Sequence, residues 1–153
     1  MVGAIVSDWG ITGLVTVQSG VPVAVTQVTN FNAFAGFGTQ RPNLVGDPRL
    51  PADERTQSRW FNTSAFAIAP QFTLGSASRN PVRGPSYRNL DLAIARRVPV
   101  SSGTGLEFRV EIFNALNTVQ FGAPGAVAGT GSFGTITTAF DPRVIQVALK
   151  FHY

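Results

Sequence analysis

Few side chains in this sequence have the types and spacing that acid–base or nucleophilic chemistry requires. His152 is the only histidine and cysteine is absent, so a catalytic triad or a histidine-rich metal site would depend on this one residue. Ser64 does not lie in a Gly-x-Ser-x-Gly motif. Glu107 and Glu111 would lie roughly 13 Å apart along one strand, too far for the carboxylate pair of a retaining glycosidase. We therefore expect no catalytic residue, no metal site and no cofactor, and an enzyme is the least favoured class.

The composition favours strands and turns over helices. The 153 residues include 16 Gly, 10 Pro and 12 Phe, and only 13% are charged, which suits one domain rich in strands and turns. Nucleic acid is not an expected partner, because the basic residues behind the net charge of +4 are scattered. The sequence lacks the ~20-residue apolar run of a membrane-spanning helix. The N-terminal sequence MVGAIVSDWG does not have the pattern of a signal peptide, and we expect that Met1 is not the true start of the protein.

Alternation of apolar and polar side chains predicts four long strands, at about 8–27, 89–98, 105–116 and 143–153. The last of them is the clearest, because Ile145, Val147 and Leu149 share one face while polar residues share the other. The first strand is interrupted at Ser19, Gly20 and Pro22, where the chain forms either a bulge or a turn that reverses it. We favour the bulge, because successive strands of a barrel must alternate in direction.

The polar residues opposite these apolar faces would line one surface of a sheet, which we call the polar wall. Its predicted members are Asp91, Glu107, Arg109, Glu111, Gln146 and Lys150, with His152 beyond them. In a soluble β-sandwich the apolar faces would be buried against a second sheet and the wall would face water. In a membrane barrel the apolar faces would meet lipid and the wall would line a wet lumen.

Connection lengths favour the barrel. The turn near 98–104 is short, whereas the connections at 117–142 and 28–87 are long. A compact soluble domain rarely carries an unstructured loop as long as 28–87. Outer-membrane barrels, in contrast, combine short periplasmic turns with long external loops.

Short sequence blocks also resemble a known family. They are SDWGITGLVTVQSGVPVAVTQ, TQRPNLVGDPRLP, RWFNTSAFA, VRGPSYRNLDLAIAR, LEFRVEIFNALNTVQFG and FGTITTAFDPRVIQVALK. In this order they resemble the C-terminal part of Oar-like TonB-dependent receptors, outer-membrane barrels often fused to a carboxypeptidase regulatory-like domain. EIFNALN is similar to the strand end before their last extracellular loop, and Asp141-Pro142-Arg143 to the turn that starts their last strand.

The C-terminus VIQVALKFHY resembles the signal by which outer-membrane proteins engage the barrel-assembly machinery. Its apolar residues alternate along the strand: Val147, Leu149, Phe151 and Tyr153. The final residue is tyrosine where the family more often has phenylalanine, a change that preserves an aromatic anchor.

The resemblance implies an all-β, antiparallel transmembrane barrel segment of about four spanning strands, with residues 1–153 as the C-terminal fragment of a receptor barrel. Such receptors enclose a plug within about 22 strands. The expected partners are outer-membrane lipid, the upstream strands and plug of the parent chain, the barrel-assembly machinery, and TonB acting through a missing N-terminal part. The expected function is energy-coupled uptake of a scarce, unidentified solute across the bacterial outer membrane.

The resemblance also places the loop 28–87 outside the cell, where aromatic residues are candidate ligand contacts: Phe31, Phe34, Phe37, Trp60, Phe61 and Phe66. The favoured interpretation is nevertheless that these rings pack the loop against itself. Two other functions stay open. One is a passive porin or a structural or adhesive barrel. The other is a soluble β-sandwich that binds glycans, with Leu106, Phe108, Val110, Ile112, Ile145, Val147 and Leu149 buried against a second sheet.

Overall fold

The computed structural model of the protein describes residues 8–36 and 38–153, and the regular secondary structure of this part of the chain is mainly β-strand. The long strands are β1 (Trp9–Gln18), β7 (Tyr87–Ser101), β8 (Thr104–Phe113) and β10 (Val144–His152). The short strands are β2 (Pro22–Val23), β3 (Thr26–Gln27), β4 (Asn43–Leu44), β5 (Phe66–Ala67), β6 (Val82–Arg83) and β9 (Val127–Ala128). Three 3₁₀-helical turns lie at Ala33–Ala35, Ala52–Glu54 and Thr63–Ala65. No helix in the described ranges has the length and apolarity needed to cross a membrane.

The four long strands form one antiparallel sheet in the order β1-β7-β8-β10. The sheet is open, so β1 and β10 are its edges. With the turns at 114–120 and 141–143, these strands make one compact unit, which we call the strand unit. Residues 19–86 and 121–140 make a second compact unit, the loop unit. The fold class predicted from the sequence, an antiparallel all-β sheet that does not close on itself, is confirmed.

The alternation of apolar and polar residues explains three of the long strands. β7, β8 and β10 cover the predicted segments with end shifts of a few residues. β7 and β8 are joined by a tight turn between the paired residues Ser101 and Thr104, where Gly103 has a φ of 84°. A residue without a Cβ adopts that conformation readily, which suits a hairpin turn of this kind.

The first strand is shorter than its predicted range of 8–27. It ends at Gln18, which pairs with Tyr87, the first residue of β7, so the ladder has no partner beyond this point. The next residues leave the sheet, and Pro22 pairs with Arg83 in the loop unit. The predicted bulge that continues the strand is therefore wrong. Gly20 allows the departure, because a Cβ there would lie 1.8 Å from the carbonyl oxygen of Gly84.

The long loop predicted at 28–87 is a folded unit with its own small core. Val23, Val25, Phe61 and Val82 are buried together, and Phe133 from the second segment packs on them. The two segments are also joined by backbone pairing, because β3 and β9 run parallel, and the amides of Thr26 and Val28 donate to carbonyls of residues 126 and 128. Residues from both segments thus share one core.

Three buried amide side chains complete the loop unit. Gln27, Asn32 and Gln40 are each 4–5% exposed. The amide group of Gln27 donates to the carbonyl of Ala69 at 3.2 Å and accepts from the Ala69 amide at 2.9 Å. Asn32 and Gln40 both donate to the carbonyl of Thr73. These bonds satisfy backbone groups of a segment that has no regular ladder of its own.

Candidate functional site

The register of the strand unit places the predicted polar wall on one face. Glu111 lies opposite Gln146 on β10, and Lys150 lies opposite Glu107. Arg109 lies between these two pairs on β8. Side chains of residues directly opposite in a sheet point to the same side, so these five share a face. Asp91 lies on the corresponding face of β7, two residues before Ala93, which pairs with Glu111.

Ion pairs connect several wall residues. Glu107 contacts Arg97 at 3.1 Å and His152 at 3.3 Å, and Arg109 contacts Glu111 at 2.9 Å. Arg97 was absent from the predicted wall, although continuing the alternation along β7 places it there. Ion pairs between side chains that stay partly exposed to solvent contribute little to the free energy of folding. Their effect is to give the face a fixed pattern of mixed charge.

Asp91 has a different role from the rest of the wall. Its carboxylate accepts hydrogen bonds from the Asn89 side chain at 2.8 Å and from the backbone amide of Asn114 at 2.9 Å. Asn114 has a φ of 51° and directly follows β8, which ends at Phe113, three residues before its predicted end. Asn117 accepts from the amide of Arg143, just before β10. Asp91 therefore stabilises the strand end that leads into the last connection, a role that charge and alternation did not reveal.

The opposite face of the same sheet is apolar and exposed. Ile11 is 73% exposed, Val147 65% and Leu149 71%. The β-sandwich alternative required seven residues of β8 and β10 to be buried against a second sheet, and none of them is buried. That expectation is wrong. An apolar surface of this kind is typical of a face that meets lipid.

Aromatic residues gather toward the end of this face next to the β7–β8 turn. Trp9 pairs with Arg96, whose guanidinium lies 5.6 Å from the centre of a ring of the indole. The rings of Phe151 and Tyr153, from the predicted insertion signal, stack at 6.3 Å. Aromatic belts with nearby long basic side chains are typical of the boundary between lipid tails and headgroups. Arg96 thus lies on the apolar face with an aromatic neighbour.

The aromatic residues proposed as ligand contacts divide into two groups. Phe61 is 2% exposed and packs edge-to-face on Phe66 and Phe133. Phe31 and Phe34 are 40% and 67% exposed. Phe37 lies outside the described residues. For Phe61 the packing interpretation therefore agrees with the structure, and contact with a ligand stays a prediction for these aromatic residues.

The loop unit contains a cavity of about 250 Å³ beside this core. Its wall combines aromatic and basic side chains, including Arg49, Arg55, Trp60, Phe61, Asn80 and Arg83. Trp60 and Phe61 are among the predicted ligand contacts, whereas the arginines of this wall could not be predicted, because they are separated along the chain and follow no period. Within the described ranges no group of three or more His, Cys, Asp or Glu side chains is placed to hold a metal ion.

Comparison with known proteins agrees with this geometry. The family model described as "Outer membrane beta barrel domain" matches residues 1–146. No curated protein and no solved structure matches the chain. The match covers all of β1, β7 and β8 and the start of β10, the strands that carry the polar wall and the apolar face. The chain belongs to the outer membrane beta barrel domain family, and it is a protein of the bacterial outer membrane.

Proposed function

We propose that the chain is the C-terminal barrel segment of a TonB-dependent outer-membrane receptor of the Oar-like type, which takes up a scarce solute with energy coupling. The observation that carries the proposal is the loop unit. Two connections of an amphipathic sheet, one between β1 and β7 and one between β8 and β10, form a folded module with its own core and cavity. A passive pore needs only connections between its strands, whereas a receptor needs a preformed surface that recognises its solute.

The two faces of the strand unit suit opposite surroundings. Strands of nine or ten residues at about 3.3 Å per residue, tilted by about 40°, span an apolar band of roughly 25 Å. In the proposal the exposed apolar face meets outer-membrane lipid and the polar wall lines the lumen. The free edges of β1 and β10 pair with upstream strands of the parent chain, because each unpaired backbone group in lipid costs several kcal/mol.

In the proposed transport, this chain and the rest of the receptor have different roles. The loop unit lies outside the cell and binds the solute, and the polar wall keeps the lumen hydrated along the solute path. TonB acts on the plug, in the N-terminal part of the parent chain, and its displacement opens the path. In this proposal the chain changes no covalent bond of its solute and uses no cofactor.

Uptake by living cells tests the energy coupling. The medium of a strain carrying the full-length receptor is profiled against that of a deletion strain, with and without a protonophore and with and without TonB. We expect at least one solute to be depleted only by energised cells that have both the receptor and TonB. Depletion that persists without TonB and without the proton-motive force would establish a passive pore instead.

A further inference from the structure

The walls of the loop-unit cavity are held in place by hydrogen bonds that leave its charged groups available. The indole Nε1 of Trp60 donates to the carbonyl of Arg83 at 2.8 Å, which fixes one aromatic wall. The guanidinium of Arg55 lies 5.9 Å from the centre of a Trp60 ring and donates through Nε to the carbonyl of Leu50 at 2.9 Å. Arg83 donates through one Nη to the carbonyl of Gly20. Arg55 and Arg83 are thus anchored by neutral partners.

No carboxylate neutralises these arginines. Among the described residues, Arg49, Arg55 and Arg83 form no ion pair, and no acidic residue lines the cavity. Asp53 and Glu54 lie nearby in sequence but are exposed and do not line it. The carboxylate of Asp47 accepts from the backbone amide of Arg49 and not from its guanidinium. The Nη atoms of Arg55 also have no hydrogen-bond partner in the described structure.

The surplus of positive charge is a property of the whole loop unit. This unit contains six arginines, at 41, 49, 55, 59, 79 and 83, against the three acidic residues Asp47, Asp53 and Glu54. The remaining charges of the chain are nearly balanced, with six basic and five acidic residues. A concave site lined by one sign of charge raises the local concentration of solutes of the opposite sign.

We propose that this cavity binds a small solute that carries a carboxylate or phosphate group. Arginine binds both groups through charge-assisted, often bidentate hydrogen bonds. The volume of about 250 Å³ lies below the roughly 300–1,000 Å³ of sites for drug-sized ligands, so the solute is compact, of the size of one sugar acid or sugar phosphate. This inference rests on the proposed receptor function and specifies the chemistry of its solute.

Calorimetry on the purified full-length receptor in detergent tests the inference with three probes that share one ring. Glucuronate carries a carboxylate, glucose 6-phosphate carries a phosphate, and glucose carries neither. We expect one or both charged probes to bind at least tenfold more tightly than glucose, and the tighter of the two identifies the anionic group. We also expect the affinity to fall as salt is added, because an open charged site is screened.

Two arginine variants test whether the charged probe binds in this cavity. Arg49→Gln removes a charge whose side chain makes no hydrogen bond in the described structure, and we expect affinity for the charged probe to fall about tenfold, the usual effect of losing one charge-assisted hydrogen bond. Arg79→Gln is the matched control, because Arg79 is exposed in the same unit and does not line the cavity. Circular dichroism and gel mobility of unheated samples verify that both variants fold.

Several outcomes would overturn the inference. They are equal affinity for glucose and both charged probes, no binding of either charged probe at millimolar concentration, and an equal loss in Arg79→Gln and Arg49→Gln. The assay contains neither TonB nor a membrane potential. A negative result therefore counts against the anionic site alone, while the uptake experiment decides the energy coupling separately.

Discussion

At the scale of single residues, Phe61 shows how an aromatic side chain in a long connection between strands can serve packing. Its ring lies 5.8 Å from that of Phe66 and 5.2 Å from that of Phe133, both nearly perpendicular. Edge-to-face pairs of this kind add about 0.5–1.5 kcal/mol each beyond the area they bury. Because Phe133 comes from the other segment of the loop unit, the same ring also ties that segment in place.

Replacing Phe61 with a smaller residue should therefore make the loop unit easier to unfold. We expect Phe61→Ala to lower the free energy of unfolding of this unit by about 3–5 kcal/mol, through lost burial and the cavity left behind. Hydrogen exchange of backbone amides in residues 19–86 measures this. Phe34→Ala is the control: its ring is 67% exposed, so its effect should stay near about 0.5 kcal/mol. Equal protection in the two variants would contradict the packing role.

The sequence could not separate these two phenylalanines. Both lie in a segment rich in Gly and Pro with no period of 2 or 3.6, so neither has a face assigned to it. What buries Phe61 is contact with residues distant in the chain. The same is true of the buried amides, since Gln27 bonds to Ala69, 42 residues away. Local patterns carry no information about such contacts.

At the scale of elements, β10 shows how fully alternation determines a strand. Val147 and Leu149 point to the exposed apolar face, and their neighbours Gln146 and Lys150 point to the polar wall. One residue along the strand therefore changes the surroundings from lipid to water in the proposed barrel. Period-2 patterns predicted β7, β8 and β10 for this reason. They failed at Gln18, because the end of β1 depends on where its partner begins.

A pair of substitutions tests the two faces. Val147→Arg places a charge on the apolar face, and we expect it to destabilise the full-length barrel by about 2–4 kcal/mol, the cost of arginine near the middle of the bilayer. Gln146→Arg, one residue earlier, faces Glu111 on the polar wall and should cost less than about 1 kcal/mol. Denaturant unfolding of the barrel in lipid vesicles measures both. A similar cost for the two variants would refute the assignment of lipid to the apolar face.

At the scale of the whole molecule, the open sheet must become part of a closed structure to be stable in lipid. β10 is an edge in this chain, and its last apolar residues are exposed, with Leu149 at 71% and Phe151 at 56%. Both features suit an assembly step in which the final strand is recognised first and paired afterwards. The outer-membrane location is established by the family, whereas recognition by the barrel-assembly machinery remains a prediction.

Changing the two terminal aromatics should impair that step. We expect Phe151→Ala combined with Tyr153→Ala to reduce the amount of folded full-length receptor in the outer membrane severalfold, because the apolar anchor of the last strand is lost. Immunoblots of unheated outer-membrane fractions, which distinguish folded from unfolded barrels, give the readout. His152→Ala changes the residue between them, on the opposite face, and should assemble normally. Normal assembly of the double variant would remove the role given to this terminus.

The shared core of the two loop segments has a consequence for how such proteins diversify. The backbone amide of Trp60 donates to the carbonyl of Gly134, and that of Ile136 donates to the carbonyl of Gln57, so each segment supplies hydrogen-bond partners to the other. Grafting only one segment onto a related scaffold would leave its share of the core without the residues that pack on it. New specificities should then arise when recombination exchanges both segments, 19–86 and 121–140, in one event, and homologues should inherit the two together.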